Sequence, residues 1–565
     1  MEMFASRLRR NLGFVLVLLA AACASVSLKA QSAPAPAGYA DLAKLFTEWR
    51  VFAGPTRKGA LEDWSADTMT AKAAALPSWR KRLNAIDTKA WPIEQQNDWK
   101  LVNAEMNGFD FDLRVLRPWA RDPAFYVRVW AARTDVPLRE GPIADDEIAL
   151  YNYRFPLSAT DQHDLAVKIG AVPALLSEAK ENLKDSNARD LWVYGEQELR
   201  NQSEALASLE AGTLTVSTLE SIQHADLTGA GEELKSAVAN AHRATDDFVA
   251  WLEKLAPAKT GPSGVGKENY TWYEKNVHLI PYSWEDQVVL LKRELERAQA
   301  SLLLEEHNNR NLPPLAAAPD AAAFDKMTHE HLDKFVAFLI NKEIIPDKPY
   351  IKSALEAELG NFVPEDKRMF FTRVTHREPM VLLCHDYHWI DLARMRDEPN
   401  PSPIRRVASL SNIWDTRAEG FATAFEEIAM HAGLYDDNPR AKELVWIMLA
   451  NRAARGLASL YVQANQYTLE QAGHFHSEWT PRGFSTRDNL TAFEQLLYLR
   501  QPGYGASYIT GKLLFDRLIT ESAHEQELAG KPFVLRDFMD RFNNEGMIPV
   551  PLMEAEMVST RGREP

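Results

Sequence analysis

The segment Cys384-His385-Asp386-Tyr387-His388-Trp389-Ile390-Asp391 concentrates two imidazoles and two carboxylates directly after an apolar run, Val381-Leu382-Leu383. Residues three apart share a helical face, so His385, His388 and Asp391 form a gently rotating row. Thirty-four residues after His385, Glu419 opens an amphipathic stretch, Glu419-Gly420-Phe421-Ala422-Thr423-Ala424-Phe425-Glu426-Glu427. A zinc hydrolase needs three protein ligands, an open position for water and a carboxylate base beside it. Histidine and acid on one helix with glutamate from the next meet that need. The same residue types would also serve as a hydrogen-bonded polar seam between buried helices. Cys384, in its apolar run, reads as a buried structural thiol.

A second segment with chemical potential is Pro502-Gly503-Tyr504-Gly505-Ala506-Ser507-Tyr508. Proline fixes φ and glycine permits positive φ, so the pair sets a turn. A helix beginning near Gly505 or Ala506 would present amides that lack intrahelical partners. With the Tyr508 hydroxyl, those amides are placed to hold a substrate carboxylate or a developing oxyanion. A helix start with Tyr508 packed in the core fits the same residues. Tyr504 and Tyr508 suit a cleft lined for peptide-like substrates.

Other strings carry less. Gly261 to Lys267 fits a phosphate loop only in part, because Glu268 stands where magnesium binding needs Ser or Thr. No Gly-x-Ser-x-Gly elbow is present. His329-Glu330-His331 reads as a solvated helix face, and His474, His476 and Glu478 as scattered surface groups.

The elements that must position these residues are helical. Leu42, Leu45, Phe46 and Trp49 repeat at three- and four-residue steps, and comparable stripes cover 158–183, 190–212, 231–255 and 284–305. Ser283 before Trp284-Glu285-Asp286 has the pattern of an N-cap followed by first-turn acids. Further stripes cover 321–342, 348–359, 366–396, 416–434, 440–473, 489–500 and 505–524. The expected fold is all-α, a large multi-helix protein with one small hairpin. Residues 257–266 interrupt the periodicity, dividing an N-terminal helical region, 41–260, from a C-terminal one, 261–565.

Composition bounds the function. The chain has 565 residues, 46% hydrophobic and 25% charged, with net charge −15. Residues 1–30 hold four basic residues and one acid, so the remainder carries 60 basic against 78 acidic residues, or −18. Such a surface repels phosphate backbones, which argues against nucleic-acid partners. Arg7, Arg9 and Arg10 precede the apolar run Gly13 to Ala22, and Leu28-Lys29-Ala30 resembles a cleavage site, so 1–30 reads as a signal peptide. Residues 31–40 form a Pro/Ala-rich tether. A lipid anchor at Cys23 is the alternative, and both readings give a periplasmic or secreted protein. No later segment reads as transmembrane. With Cys23 removed or lipidated, Cys384 is the one remaining thiol and an internal disulfide is excluded.

From about Leu42 to Met557 the chain resembles a large bacterial family known only as a domain of unknown function. Glu419-Gly420-Phe421-Ala422 with Glu426-Glu427 is similar to its E-G-W-x-L-Y-x-E-E helix. Pro502 to Lys512 is similar to its P-G-x-x-x-S-Y-x-x-G-K signature, and Gly546-Met547-Ile548-Pro549-Val550-Pro551-Leu552 to its ending. The resemblance implies a secreted, all-α zinc metallopeptidase. The departure falls on the metal helix, H-E-x-x-P-G-H, which here reads His385, Asp386, Tyr387, His388, Trp389, Ile390, Asp391. The carried-over ligands are His385, Asp391 and Glu419, with Asp386 as general base; in a variant His388 replaces Asp391. Arg455 persists from a family stretch whose aspartate and histidine are here Ser459 and Gln463. It joins Tyr504 and Gly503 as a substrate-binding candidate, and Tyr508 joins Asp386 as a catalytic one. Two carboxylates among three ligands suit manganese or iron better than a His₂Glu set does, so the expected cofactor is zinc or manganese. Glu to Asp shortens the base by ~1.5 Å, and misplacement on that scale costs ~10²-fold. Two functions compete: a peptide hydrolase with an altered ligand set, and a catalytically silent relative that binds peptides or envelope partners.

Overall fold

A computed structural model describes residues 38–138, 147–219, 221–485 and 494–558. The signal-peptide and lipid-anchor readings lie outside them. The fold is all-α. The stripe that begins at Leu42 is the buried face of helix Tyr39–Ala53. Nine further helices matter below: α1 (Arg189–Ala211), α2 (Glu232–Leu255), α3 (Lys267–Asn276), α4 (Trp284–Asn308), α5 (Pro379–His385), α6 (Tyr387–Asp397), α7 (Asp415–His431), α8 (Ala441–Gln463) and α9 (Tyr504–Leu528). At the start of α4, Ser283 Oγ accepts from Asp286 N at 3.1 Å and the Asp286 carboxylate accepts from Ser283 N at 2.9 Å. That reciprocal cap satisfies two otherwise orphaned amides.

The expected single hairpin is three two-stranded pairs. Antiparallel β1 (Thr56–Lys58) with β2 (Leu61–Asp63) and β5 (Leu214–Ser217) with β6 (Ile222–Ala225) flank a parallel pair, β3 (Val129–Trp130) with β4 (Ile148–Ala149). Helix Ile93–Phe111 was not legible as a stripe because it buries Asn97, Asp98, Glu105 and Asn107 among its apolar residues. The stripe 366–396 is three helices. Pro379 starts α5 at the position that needs no amide, and Asp386, with ψ near 5°, breaks α5 from α6.

Two hydrophobic cores organise the molecule. The larger joins residues 42–111 to α3 through α9 and on to Val558. The smaller gathers Trp64, Trp119, Phe125, α1 and α2. Between them lies a cavity of about 660 Å³, walled by residues 127–135 and α1 on one side and by α5 through α9 on the other. No helix among the described residues is long and apolar enough to cross a membrane.

Candidate metal centre

Glycines set how closely the site helices approach. A Cβ on Gly420 would lie 2.3 Å from Gly511 Cα, and one on Gly511 would lie 2.5 Å from Thr416 O. Helices α7 and α9 therefore cross backbone against backbone. Likewise a Cβ on Gly456 of α8 would lie 2.7 Å from Gly505 O. These contacts hold the first turns of α9 against Glu419, the neighbour of Gly420.

Glu419 is met there by two imidazoles. His388 Nε2 lies 3.2 Å and His385 Nε2 3.5 Å from Glu419 Oε2. Nitrogen and oxygen donors of all three residues lie within 4.8 Å of one another, and all three are buried. A tetrahedral ion with ~2.1 Å bonds needs donors ~3.4 Å apart, and the two imidazole–carboxylate separations are close to that. The supporting contacts also fit. Glu426, two turns beyond Glu419 on the same face, lies 3.4 Å from His385 Nδ1 and accepts from Arg452 at 2.6 Å. The Tyr504 hydroxyl donates to Glu419 Oε1. His385 Nδ1 and Glu426 Oε1 face each other as an ion pair, and neither has a hydrogen-bond partner among the described residues. Burial opposes the charge on Glu419, yet His388 and His385 hold it well below the usual carboxylate range.

Asp391 stands outside this cluster, a correction to the carried-over ligand set. Its carboxylate accepts from Arg417 at 2.9 Å and from Arg394. Burial raises it, but the two guanidiniums outweigh burial and keep it ionised. The helix break at Asp386 turns His388 toward Glu419 instead. His388, the variant candidate, therefore lies beside His385 and Glu419 where Asp391 does not. Asp386 lines the cavity, and its carboxyl is driven well above the usual range by burial, then by Asp135 and Glu358.

The other candidates divide. Tyr508 lines the cavity, stacked 6.0 Å from His385, with the Arg455 guanidinium 4.1 Å from its ring. Arg455 lines the cavity as well and donates to Glu494 at 2.9 Å. Tyr504 faces both cavity and Glu419. Gly503 faces neither: at φ 96°, an added Cβ would lie 2.2 Å from Glu274 Oε1. Helix α9 begins at Tyr504, and the amides of Tyr504, Ala506 and Ser507 bond back to Gln501 and Gly503 carbonyls at 3.0–3.2 Å. Those amides are engaged rather than aimed at a substrate.

Sequence reading missed two contributors. Glu426 was detectable, being seven residues from Glu419 and so on its helical face. Asp135, in the opposite wall and close enough to be influenced by His388 and Glu419, had no signal in the sequence. His476, expected at the surface, is fully buried and accepts from Asn451 at 2.8 Å. The phosphate-loop-like stretch is a packing corner: Gly264 meets the last turn of α8, and Lys267 lies 3.8 Å over the Trp284 ring. Cys384 is buried, as expected.

Two solved structures share the fold. One is described as "a putative lipoprotein of unknown function" from Shewanella oneidensis, with TM-score 0.65 and 14% identity, covering 92% of this chain and 100% of that one. The other, "the putative lipoprotein from Colwellia psychrerythraea", has TM-score 0.61 and 14% identity, with 92% and 99% covered. No curated protein matches the sequence. The family model DUF885, "Bacterial protein of unknown function", matches residues 48–310 and 388–557. His388, Glu419 and the α9 signature lie within the match, while His385 and Asp386 fall in its gap. With most of its length matched, the chain belongs to the DUF885 family of bacterial proteins of unknown function.

Proposed function

We propose that the protein is a secreted metallopeptidase-like hydrolase that holds one divalent cation, zinc before manganese, through His385, His388 and Glu419. The observation that carries this is the convergence of two imidazoles and one carboxylate, all buried, on the edge of a cavity large enough for a peptide. Two histidines and a glutamate form a zinc set that leaves a fourth position for water or substrate. The metal, when bound, lowers the pKa of water and polarises a carbonyl. The chain's own groups supply the rest. Glu426 faces the Nδ1 edge of the His385 ring, and Tyr504 fixes one Glu419 oxygen so that the other faces the imidazoles. Asp386, adjoining His385 in the cavity wall, is the group placed to take and return a proton. Tyr508, beside His385, is placed to donate to a developing oxyanion. The signal-like residues 1–30 and the lipoprotein descriptions of both structural neighbours support a place outside the cytoplasm.

A second reading has its own support. The family match breaks off across His385 and Asp386, and Asp is a shorter base than Glu. A peptide-binding relative without turnover fits that pattern.

Metal analysis of the purified protein tests the centre. One equivalent of zinc is expected, kept in Asp391→Asn and lost in His388→Ala. Loss in Asp391→Asn with retention in His388→Ala would return the ligand role to Asp391. Absence of stoichiometric metal, with no zinc- or manganese-dependent stabilisation, would remove the enzyme reading.

A further inference from the structure

The cavity wall facing the metal centre contains three guanidiniums, and they differ in how they are engaged. Arg455 donates to Glu494 at 2.9 Å and Arg500 to Asp122 at 2.6 Å. The Arg133 side chain has no hydrogen bond or ion pair among the described residues. Its Nε is shut off from solvent without an acceptor, although the residue as a whole is half-exposed and lines the cavity. An unmet buried donor is costly, and a planar guanidinium is the side chain best matched to a carboxylate. An Arg fork with no partner among the described residues, set in a cavity wall, therefore specifies its ligand.

The backbone holds this residue in place. Arg133 N donates to Ser217 O at 3.1 Å, and Ser217 N donates to Ala131 O at 3.1 Å, pinning the segment to β5. Asp135, the next residue but one, also lines the cavity and lies within electrostatic influence of His388, Glu419 and His385. Side chains two apart on an extended chain stand ~7 Å from each other. A peptide advances ~3.5 Å per residue, so its terminal carboxylate at Arg133 would put a backbone carbonyl one or two residues away near the centre. Trp130, Trp389 and Tyr498 supply apolar wall between these points.

We propose that Arg133 anchors the free C-terminal carboxylate of a peptide, so that the site takes peptides by their end and not by an internal stretch. This rests on the reading of the cavity as a peptide site and deepens it.

The test is calorimetric titration of the full chain with acetyl-alanyl-phenylalanine and with its C-terminal amide, in chelator and again with zinc. The acid should bind about 10-fold or more tighter than the amide. Arg133→Gln should erase that preference and leave amide affinity unchanged, while Arg133→Lys, keeping charge but not the fork, should retain part of it. Thermal melts establish that each variant is folded. Equal affinities, a preference that survives Arg133→Gln, or no binding of the acid at millimolar concentration would overturn the proposal. The outcome is separable from that of the metal reading. A protein that takes no zinc yet prefers the acid keeps the anchor and loses the centre. A zinc-binding protein indifferent to the carboxylate does the reverse.

Discussion

Two buried clusters of imidazole and carboxylate flank the Pro502–Tyr508 turn, and they differ in arithmetic and in access. On one side two imidazoles, His385 and His388, converge on Glu419, with Glu426 facing the far edge of His385, and the cavity reaches His385 and Glu419. On the other, His278 alone faces two carboxylates, with its Nδ1 2.9 Å from Glu274 and 3.4 Å from Asp415. Its Nε2 is taken by Ser411 O at 3.1 Å. Gln287 donates to Glu274 at 2.6 Å and accepts from the Tyr270 hydroxyl at 2.8 Å, and neither His278 nor its partners line the cavity. Burial lowers His278, but Asp415 and Glu274 outweigh it and raise the imidazole to about 9. Burial pushes Asp415 up to about 7 despite the facing imidazolium. Protonated His278 supplies the counter-charge here; burial lowers His388 in the first cluster too, and Glu419 likewise outweighs it and raises that imidazole to about 9. The contrast teaches that residue type does not separate the candidate ligand set from a structural ion pair; the number of imidazoles meeting one carboxylate, and access from the cavity, set them apart. Gly503 and Tyr504 connect the two, one backed onto Glu274 and the other bonded to Glu419.

The comparison is broken most severely at His278. His278→Ala leaves two buried carboxylates without a counter-charge and should lower stability by about 3–5 kcal/mol. Chemical denaturation measures the loss, and zinc content of the folded protein should be unchanged. If zinc were lost as well, the two clusters would be one functional unit. Gly420→Ala comes next. Its Cβ would meet the Gly511 backbone at 2.3 Å, so α7 and α9 must part. A cost of about 1–3 kcal/mol is expected, together with weaker zinc binding because Glu419 moves with the helix. An unaltered melting temperature would show that the crossing is looser than described.

Tyr504→Phe sharpens the comparison at the connection itself. It keeps the ring and removes the donor to Glu419, so zinc affinity should fall about 10–100-fold in competition with a chelator while the fold persists. At neutral pH the smallest effect is expected at a third buried imidazole, whose influence grows only in acid. Burial, followed by Arg455, pushes His476 down to about 3. Its neutral folded form means that stability is complete above the unfolded value near 6.5 and falls as pH drops from there toward 3. Replacing it by Gln should flatten that acid limb by up to about 1.4 kcal/mol per pH unit. His278 does the reverse, since its contribution is complete below pH 6.5 and is lost as pH rises through about 9. Identical acid limbs for wild type and His476→Gln would mean that the imidazole is hydrated.

The helical architecture, the amphipathic faces of α1, α2, α4 and α7, the Ser283 cap and the candidacy of His385 and Glu419 could all be read from the chain by itself. Each rests on contacts within three or four residues, where spacing is geometry. The glycines of the α7 and α9 motifs were equally visible, but their reason was not, because it is the close crossing of two helices ninety residues apart. Only the tertiary structure shows which of His388 and Asp391 lies beside Glu419. Both lie on the row that starts at His385, and local periodicity treats them alike. Arg417, on a different helix, claims Asp391, and the break at Asp386 rotates His388 onto Glu419. Arg133 and Asp135 were likewise beyond sequence reading, since nothing local marks a residue whose role comes from a wall 250 residues away in the chain. Electrostatic pairing and helix rotation are long-range in sequence, and they brought together three of the residues that the sequence could only place side by side.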